Sequence, residues 1–323
     1  MTTDNWRPAR VTAIRPVAEG VLEICLADPE GKPLPDWEPG AHIEVETVAG
    51  IRQYSLCGDW DGDYTIAILD EPEGRGGSRV LHESTVIGSE LRIRGPRNHF
   101  RLTDEADDYV LIAGGIGITP IKAMAQHLAA SGRTWRLHYG GRSAASMAYV
   151  DEVRSLDPDV VSIVAQDSDG VLDLAGIVAD ATSGTVVYCC GPPGLLDAAA
   201  VAVADSAAAD LRIERFTAAT PAPADATTGE VELGEDTFVV ELATSGIAVE
   251  VSPGQTILEA VSAHLPDVMS SCEDGSCGTC ETDVIEGVPL HRDTVLTPSE
   301  QEANETMMIC VGRSCSKRLV LDL

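Results

Sequence analysis

Four of the nine cysteines in this chain stand at a spacing that could do chemistry. Cys272, Cys277, Cys280 and Cys310 are separated by four, two and 29 residues. Thiolates are soft ligands that suit iron. Three would come from one short loop and the fourth from a distant point, which together meet the needs of a pair of sulfide-bridged irons. Gly275 and Gly278 lie inside the loop. Glycine lets the backbone turn N–H groups toward a cluster's sulfur atoms. Zinc is the weaker alternative, because it favours paired C-x2-C units and only Cys277 and Cys280 form one. Cys25, Cys57, Cys189, Cys190 and Cys315 share no ligand spacing and read as small packing hydrophobes.

The C-x4-C-x2-C run with a distant fourth cysteine is the plant-type two-iron two-sulfur spacing. Other strings could hold anions and rings. RQYSL, residues 52–56, offers a planar cation for a phosphate, an aromatic face and a hydroxyl in succession; alone, it also fits a plain strand. GRGGSRVLH, residues 74–82, is a glycine-rich loop entering a short helix. Its successive N–H groups can form an anion nest, although a flexible turn has the same composition. GPRNHF, residues 95–100, follows at the end of the same region. GGIGITP, residues 114–120, runs from an apolar strand into a helical stretch. It lacks the last glycine of the Rossmann pattern but keeps its logic of close backbone approach to a pyrophosphate. YCCGPP, residues 188–193, ends a later strand, where the ligand crevice of a parallel sheet lies.

These strings need a scaffold. At about 100–200 residues per domain, 323 residues imply two or three domains. Residues 1–103 carry short apolar runs (21–27, 42–47 and 64–69) punctuated by Gly and Pro, which predicts a small β-barrel. Residues 104–216 alternate strand-like runs (110–113, 134–139, 160–165 and 186–190) with helical ones, the first helix spanning 121–130. That order predicts an α/β domain with a parallel sheet. Residues 217–229, rich in Ala, Thr and Pro, read as a linker. Residues 230–323 open with strands at 238–242 and 247–251 and a helix at 256–264, then reach the cysteine loop. The fold class expected is therefore multidomain: barrel, α/β domain, and a small C-terminal cysteine-bearing domain.

The formal charge is −30, and residues 230–323 alone hold 18 acids against four bases. Phosphate backbones would be repelled, so no nucleic-acid partner is expected. The acid serves solubility or steers the chain toward a basic partner. No apolar run reaches 18 residues, and the first residues lack the basic-then-apolar order of a signal peptide. The expectation is a cytoplasmic protein with no membrane span.

Taken together and in order, RQYSL, GRGGSRVLH, GPRNHF, GGIGITP, CCGPPG and CEDGSCGTC resemble the phthalate dioxygenase reductase family, which includes the reductase components of vanillate demethylases. The resemblance spans essentially the whole chain. It implies an FMN-binding barrel, an NAD-binding domain and a β-grasp ferredoxin domain in that order. It also implies a reductase that passes electrons from NADH through FMN and a 2Fe-2S cluster to a Rieske-type oxygenase acting on an aromatic or related small compound. By this resemblance Arg52 binds the flavin phosphate, and Tyr54 and Ser55 contact the ring, Ser55 nearest the reacting atom. Gly76, Gly77 and Ser78 cradle the phosphate. Gly115, Gly117 and Thr119 lie near the pyrophosphate and nicotinamide, Arg142 and Ser143 at the adenosine ribose, and Cys190, Gly191 and Pro192 beside the nicotinamide. Phe216 is placed near the flavin, a core position being the alternative. Cys272, Cys277, Cys280 and Cys310 hold the cluster. Arg142 also suits a 2′-phosphate and hence NADPH. A thiolate-haem monooxygenase is the alternative electron acceptor. A redox sensor that binds the cofactors without turnover is the reading from another class.

Overall fold

The computed structural model describes residues 5–59, 62–72, 74, 76–216, 236–265, 268–270, 273, 275, 278–296 and 298–323. The chain divides into two compact units, Met1–Phe216 and Thr217–Leu323. The expected linker, residues 217–229, lies outside the described residues.

The first unit begins with strands β1 (Arg7–Ala18), β2 (Val21–Ala27), β3 (His42–Thr47), β4 (Gly50–Ser55) and β5 (Tyr64–Leu69), helix α1 (Gly77–Ser84) and strand β6 (Glu90–Arg97). The strands lie in the order β4-β3-β6-β1-β2-β5, every pair antiparallel. A bridge between Leu56 and Ile66 joins the two end strands and closes the sheet into a barrel. Inward residues are apolar: Ile24, Leu26, Ile43, Val45, Ile66 and Ile68 are fully buried. The 12-residue β1 was not legible as a strand. Only Ala9 and Val11 within it are buried, and Pro8 and Pro16 interrupt its alternation.

The second half of this unit is a five-stranded parallel sheet. Strand β7 (Asp108–Gly114) leads to α2 (Ile118–Ser131), β8 (Thr134–Gly141), α3 (Val150–Leu156), β9 (Val161–Ala165), α4 (Gln166–Asp169), α5 (Leu174–Val178), β10 (Thr185–Cys190), α6 (Pro193–Ala204) and β11 (Asp210–Glu214). The order is β11-β10-β7-β8-β9. Both faces are covered, so the centre of β7 is apolar: Leu111 and Ala113 join the core that α2 and α3 close, while Val110 and Ile112 face Leu196 and Ala199 of α6. Gly132 caps α2 in the left-handed conformation, its N–H reaching the carbonyl of Ala129.

The C-terminal unit contains β12 (Phe238–Leu242), β13 (Ile247–Val251), α7 (Ile257–Ser262), β14 (Glu281–Glu286), β15 (Pro289–Leu290), α8 (Pro298–Ala303), β16 (Thr306–Met308), β17 (Arg313–Ser314) and β18 (Arg318–Leu321). Its main sheet runs β13-β12-β18-β14-β16, with β12 and β18 parallel. Thr256 starts α7 with a reciprocal capping box to Glu259. The helix lays Ile257, Leu258 and Val261 on Val240, Leu242, Val251 and Leu319, a β-grasp arrangement. Among the described residues no helix is long and apolar enough to cross a membrane.

Candidate cofactor and electron-transfer sites

Strand β4 carries Arg52, Tyr54 and Ser55 along one edge of the barrel, with Ser55 opposite His42 and Arg52 opposite Val45 of β3. The Arg52 guanidinium donates to the carbonyls of Ile51 at 2.7 Å and Ala49 at 2.8 Å, which fixes its plane. The glycine-rich loop presses directly on it. A Cβ on Gly77 would stand 2.5 Å from Arg52 Cγ and Nε, so only glycine permits this approach. Gly76 has φ 84° and serves as the N-cap of α1. Ser78 follows in the first turn, its Oγ accepting the Glu71 N–H at 3.2 Å. A fixed cation thus meets a helix N-terminus and a left-handed glycine turn, which suits a phosphate.

The second site lies where the parallel sheet changes direction. From β7 the chain proceeds outward to β8 and β9, then returns to place β10 on the other side of β7. The crevice above the carboxyl ends of β7 and β10 is therefore the topological switch point. Gly115, Gly117 and Thr119 leave β7, and Cys190, Gly191 and Pro192 leave β10. The two turns are in contact. A Cβ on Gly117 would lie 2.2 Å from the Cys190 carbonyl oxygen, and one on Gly114 would lie 2.7 Å from Pro192 Cδ. Gly115, at φ 55°, has open space where its Cβ would stand, leaving room above the turn. Thr119 is buried, its hydroxyl donating to the Ile116 carbonyl at 3.0 Å. Arg142 and Ser143 follow β8, next to β7 in the sheet. Arg142 is exposed, and Ser143 caps a short turn with Ser146.

The barrel and the crevice meet at a residue that sequence reasoning passed over. Glu214 ends β11, directly opposite Cys190 of β10. Ser55 Oγ donates to its Oε2 at 3.4 Å, and Cys190 Sγ stands 4.0 Å from the same oxygen. Glu214 keeps part of its surface open, yet the protein packed around its carboxyl pushes its pKa up to about 8. Burial drives that rise, and the Ser55 hydrogen bond opposes it. Burial also raises the Cys190 thiol well above its ordinary value, so it is protonated at neutral pH. The acid in Arg212-Ile213-Glu214 has no spacing signal in the sequence; its parallel register against Cys190 is what gives it a place. Phe216, two residues on, is 43% exposed and is not a core residue.

In the C-terminal unit, β14 and β16 pair antiparallel with Glu281 opposite Met308. This register continues into an Ile309 N–H bond to the Cys280 carbonyl at 3.3 Å. Cys280 and Cys310, 30 residues apart in sequence, are thereby drawn to the same end of one strand pair, both buried. Cys272 and Cys277 lie outside the described residues. Gly275 and Gly278 both adopt φ 74°, and a Cβ on Gly275 would lie 2.6 Å from Val311 Cγ2. Two left-handed glycines near a pair of buried cysteines suit a sulfur-ligated iron pair. Of the remaining cysteines, Cys57, Cys189 and Cys190 are buried and Cys315 is exposed.

Residues 111–200 match the family described as "Oxidoreductase NAD-binding domain", and residues 240–315 match "2Fe-2S iron-sulfur cluster binding domain". The chain is thus an oxidoreductase that joins a pyridine-nucleotide domain to an iron–sulfur domain. It is 42% identical to the phenoxybenzoate dioxygenase subunit beta of Ectopseudomonas oleovorans over 317 residues, 97% of this chain and 96% of that protein. The structure of phthalate dioxygenase reductase superposes with a TM-score of 0.70 at 34% identity, covering 99% of this chain and 98% of that one. An intact type IV self-sufficient cytochrome P450 monooxygenase aligns with a TM-score of 0.88 at 42% identity. That match covers 98% of this chain, which spans 41% of the longer protein's length. The chain belongs to the phthalate dioxygenase reductase family.

Proposed function

We propose that the chain is the reductase component of an oxygenase system, drawing electrons from NADH through FMN and a 2Fe-2S cluster to a separate terminal oxygenase. The observation that carries this reading is the contact of Ser55, on the barrel strand, with Glu214, at the edge of the nucleotide crevice. It supports one shared reaction spot for the residues assigned here to the flavin and those assigned to the nicotinamide. FMN supplies the step between a two-electron hydride and a one-electron cluster. The protein's own residues supply placement. Arg52, Gly76, Gly77 and Ser78 hold the phosphate, Tyr54 the ring, and Ser55 offers its hydroxyl to the reacting atom. Gly115, Gly117 and Thr119 receive the nicotinamide end of NADH, and Cys190, Gly191 and Pro192 wall it in. Arg142 and Ser143 take the adenosine ribose, and Phe216 lies beside the flavin. Glu214, protonated up to about pH 8, holds a proton within reach of the Ser55 hydroxyl. Cys272, Cys277, Cys280 and Cys310 hold the cluster.

The domains run 1–103, 104–216 and 230–323, with 217–229 as linker, and the protein is cytoplasmic. A Rieske-type oxygenase acting on an aromatic or related small compound is the acceptor that the dioxygenase relatives favour. The likeness to a self-sufficient cytochrome P450 supports a thiolate-haem acceptor as the second reading. Absorption spectra of the purified protein before and after anaerobic NADH, with flavin extraction and paramagnetic resonance, test the core of the proposal. A bleached flavin and a reduced two-iron signal are expected, and absence of either overturns it. Screening both classes of oxygenase for NADH-driven reduction separates the two acceptors.

A further inference from the structure

Beyond the groups that touch the cofactors, the first unit buries a polar network that the site does not use directly. Its centre is Lys122 on α2, whose side chain is 6% exposed. The ammonium donates to the Cys57 carbonyl at 2.7 Å, pairs with Glu152 Oε2 at 3.2 Å and lies 4.7 Å from the centre of the Tyr149 ring. A buried cation persists only when such partners replace water. The partners are themselves held. Tyr149 Oη donates to Glu23 at 3.0 Å, and Arg15 bridges Glu23 and Glu152, each at 3.0 Å. Tyr149 sits at φ 62°, a left-handed conformation that an aromatic residue rarely adopts and that needs surrounding structure to maintain it.

The two ends of the Lys122 bond are the telling feature. Cys57 stands two residues beyond Ser55, on the extension of β4. Its N–H bonds the Thr65 carbonyl at 2.9 Å, while the Leu56 N–H bonds the Ala41 carbonyl at 2.8 Å. That segment therefore cannot shift without breaking its ties. Lys122 stands one helical turn beyond Thr119 on the same face of α2. A single buried ammonium thus ties the strand segment assigned to the flavin to the helical turn assigned to the nicotinamide.

We propose that Lys122 is a positioning residue for hydride transfer: its bond to the Cys57 carbonyl sets the separation between the ring held at Ser55 and the nicotinamide held at Thr119. The inference rests on the roles proposed above for those two residues. In the step concerned, the hydride leaves the nicotinamide carbon with its bonding pair and forms a bond to the flavin, so NADH is oxidised by two electrons and FMN reduced by two. Lys122 donates nothing to the reaction and acts through distance alone.

The test compares the FMN-bound full chain with K122M, K122R and S55A, using rapid mixing with NADH and with NADH deuterated at the transferred position. Expected for K122M is flavin reduction about 10- to 100-fold slower at saturating NADH. It should retain its flavin and its NAD affinity, and lose the long-wavelength absorbance of a stacked nicotinamide–flavin pair. K122R, which still donates to the carbonyl, should restore both rate and absorbance. In flavin-free protein, amide exchange at Leu56 and Cys57 should quicken in K122M. If K122M does not accumulate as folded protein, K122Q carries the same comparison, because its shorter side chain cannot span to Cys57. A K122M enzyme with wild-type rate and absorbance overturns the inference, as does a defect that saturating NADH abolishes. If S55A is slow while K122M is normal, only the inference fails; if both are normal, the assignment of the site fails with it.

Discussion

Ser55 of the barrel and Glu214 of the parallel sheet, 159 residues apart, share a hydrogen bond of 3.4 Å. The contact exists because β4 ends where β11 ends. It gives the Ser55 hydroxyl an acceptor on its own protein and sets a raised carboxyl beside the proposed flavin position.

That carboxyl makes stability depend on pH. Burial pushes Glu214 up to about 8 in the folded chain, against an ordinary value of 4.5 when unfolded. Between those values the unfolded chain releases a proton that the folded chain keeps, so its contribution to stability is complete below about 4.5 and falls as pH rises toward 8. Glu214→Gln should flatten this part of the profile and raise the denaturation midpoint most at pH 8, as urea titrations at several pH values will show. An unchanged slope would mean that the carboxyl is ionised at neutral pH.

The proposed phosphate cradle predicts a separable flavin defect. Arg52→Gln removes a charge-assisted contact worth about 1.5–3 kcal/mol, so FMN affinity should fall about 10- to 100-fold. The C-terminal unit should keep its iron signal. Flavin retention on a desalting column, followed by titration with added FMN, measures this.

Gly117→Ala places a methyl group 2.2 Å from the Cys190 carbonyl oxygen. The β7 and β10 turns must then part, at a stability cost of about 1–3 kcal/mol, and NADH binding should weaken with them. Gly194→Ala, in α6 with open space where the Cβ would stand, should be neutral or stabilise by about 0.5–1 kcal/mol. Thermal melts and NADH titration of the pair distinguish the close approach from a general intolerance of alanine.

Cys280→Ser and Cys310→Ser should each abolish the reduced two-iron resonance and electron delivery to cytochrome c, while NADH still bleaches the flavin. Cys189→Ala, which removes a thiol buried among apolar residues, should leave the resonance intact. Loss of the signal in Cys189→Ala alone would reassign the ligands.

The iron–sulfur domain, the glycine turns and the strand carrying Arg52 were legible from residue type and spacing, because each is marked by a local device. A thiolate spacing, a turn that only glycine can make, and a strand running into a helix N-terminus are written within ten residues. Strands 238–242 and 247–251 were legible at the same boundaries for a similar reason, their alternation being strictly local. By contrast, β1 packs through only two buried residues, so its period was hidden.

What the sequence by itself determined was the kinds of domain and their order along the chain. The tertiary structure alone decided which distant residues face one another. Glu214 meets Ser55, Lys122 reaches the Cys57 carbonyl, and Cys310 comes alongside Cys280 because strand register and burial choose partners across many residues. A lone acid or lysine carries no periodic signal; its role arises from the desolvated surroundings that the fold builds around it.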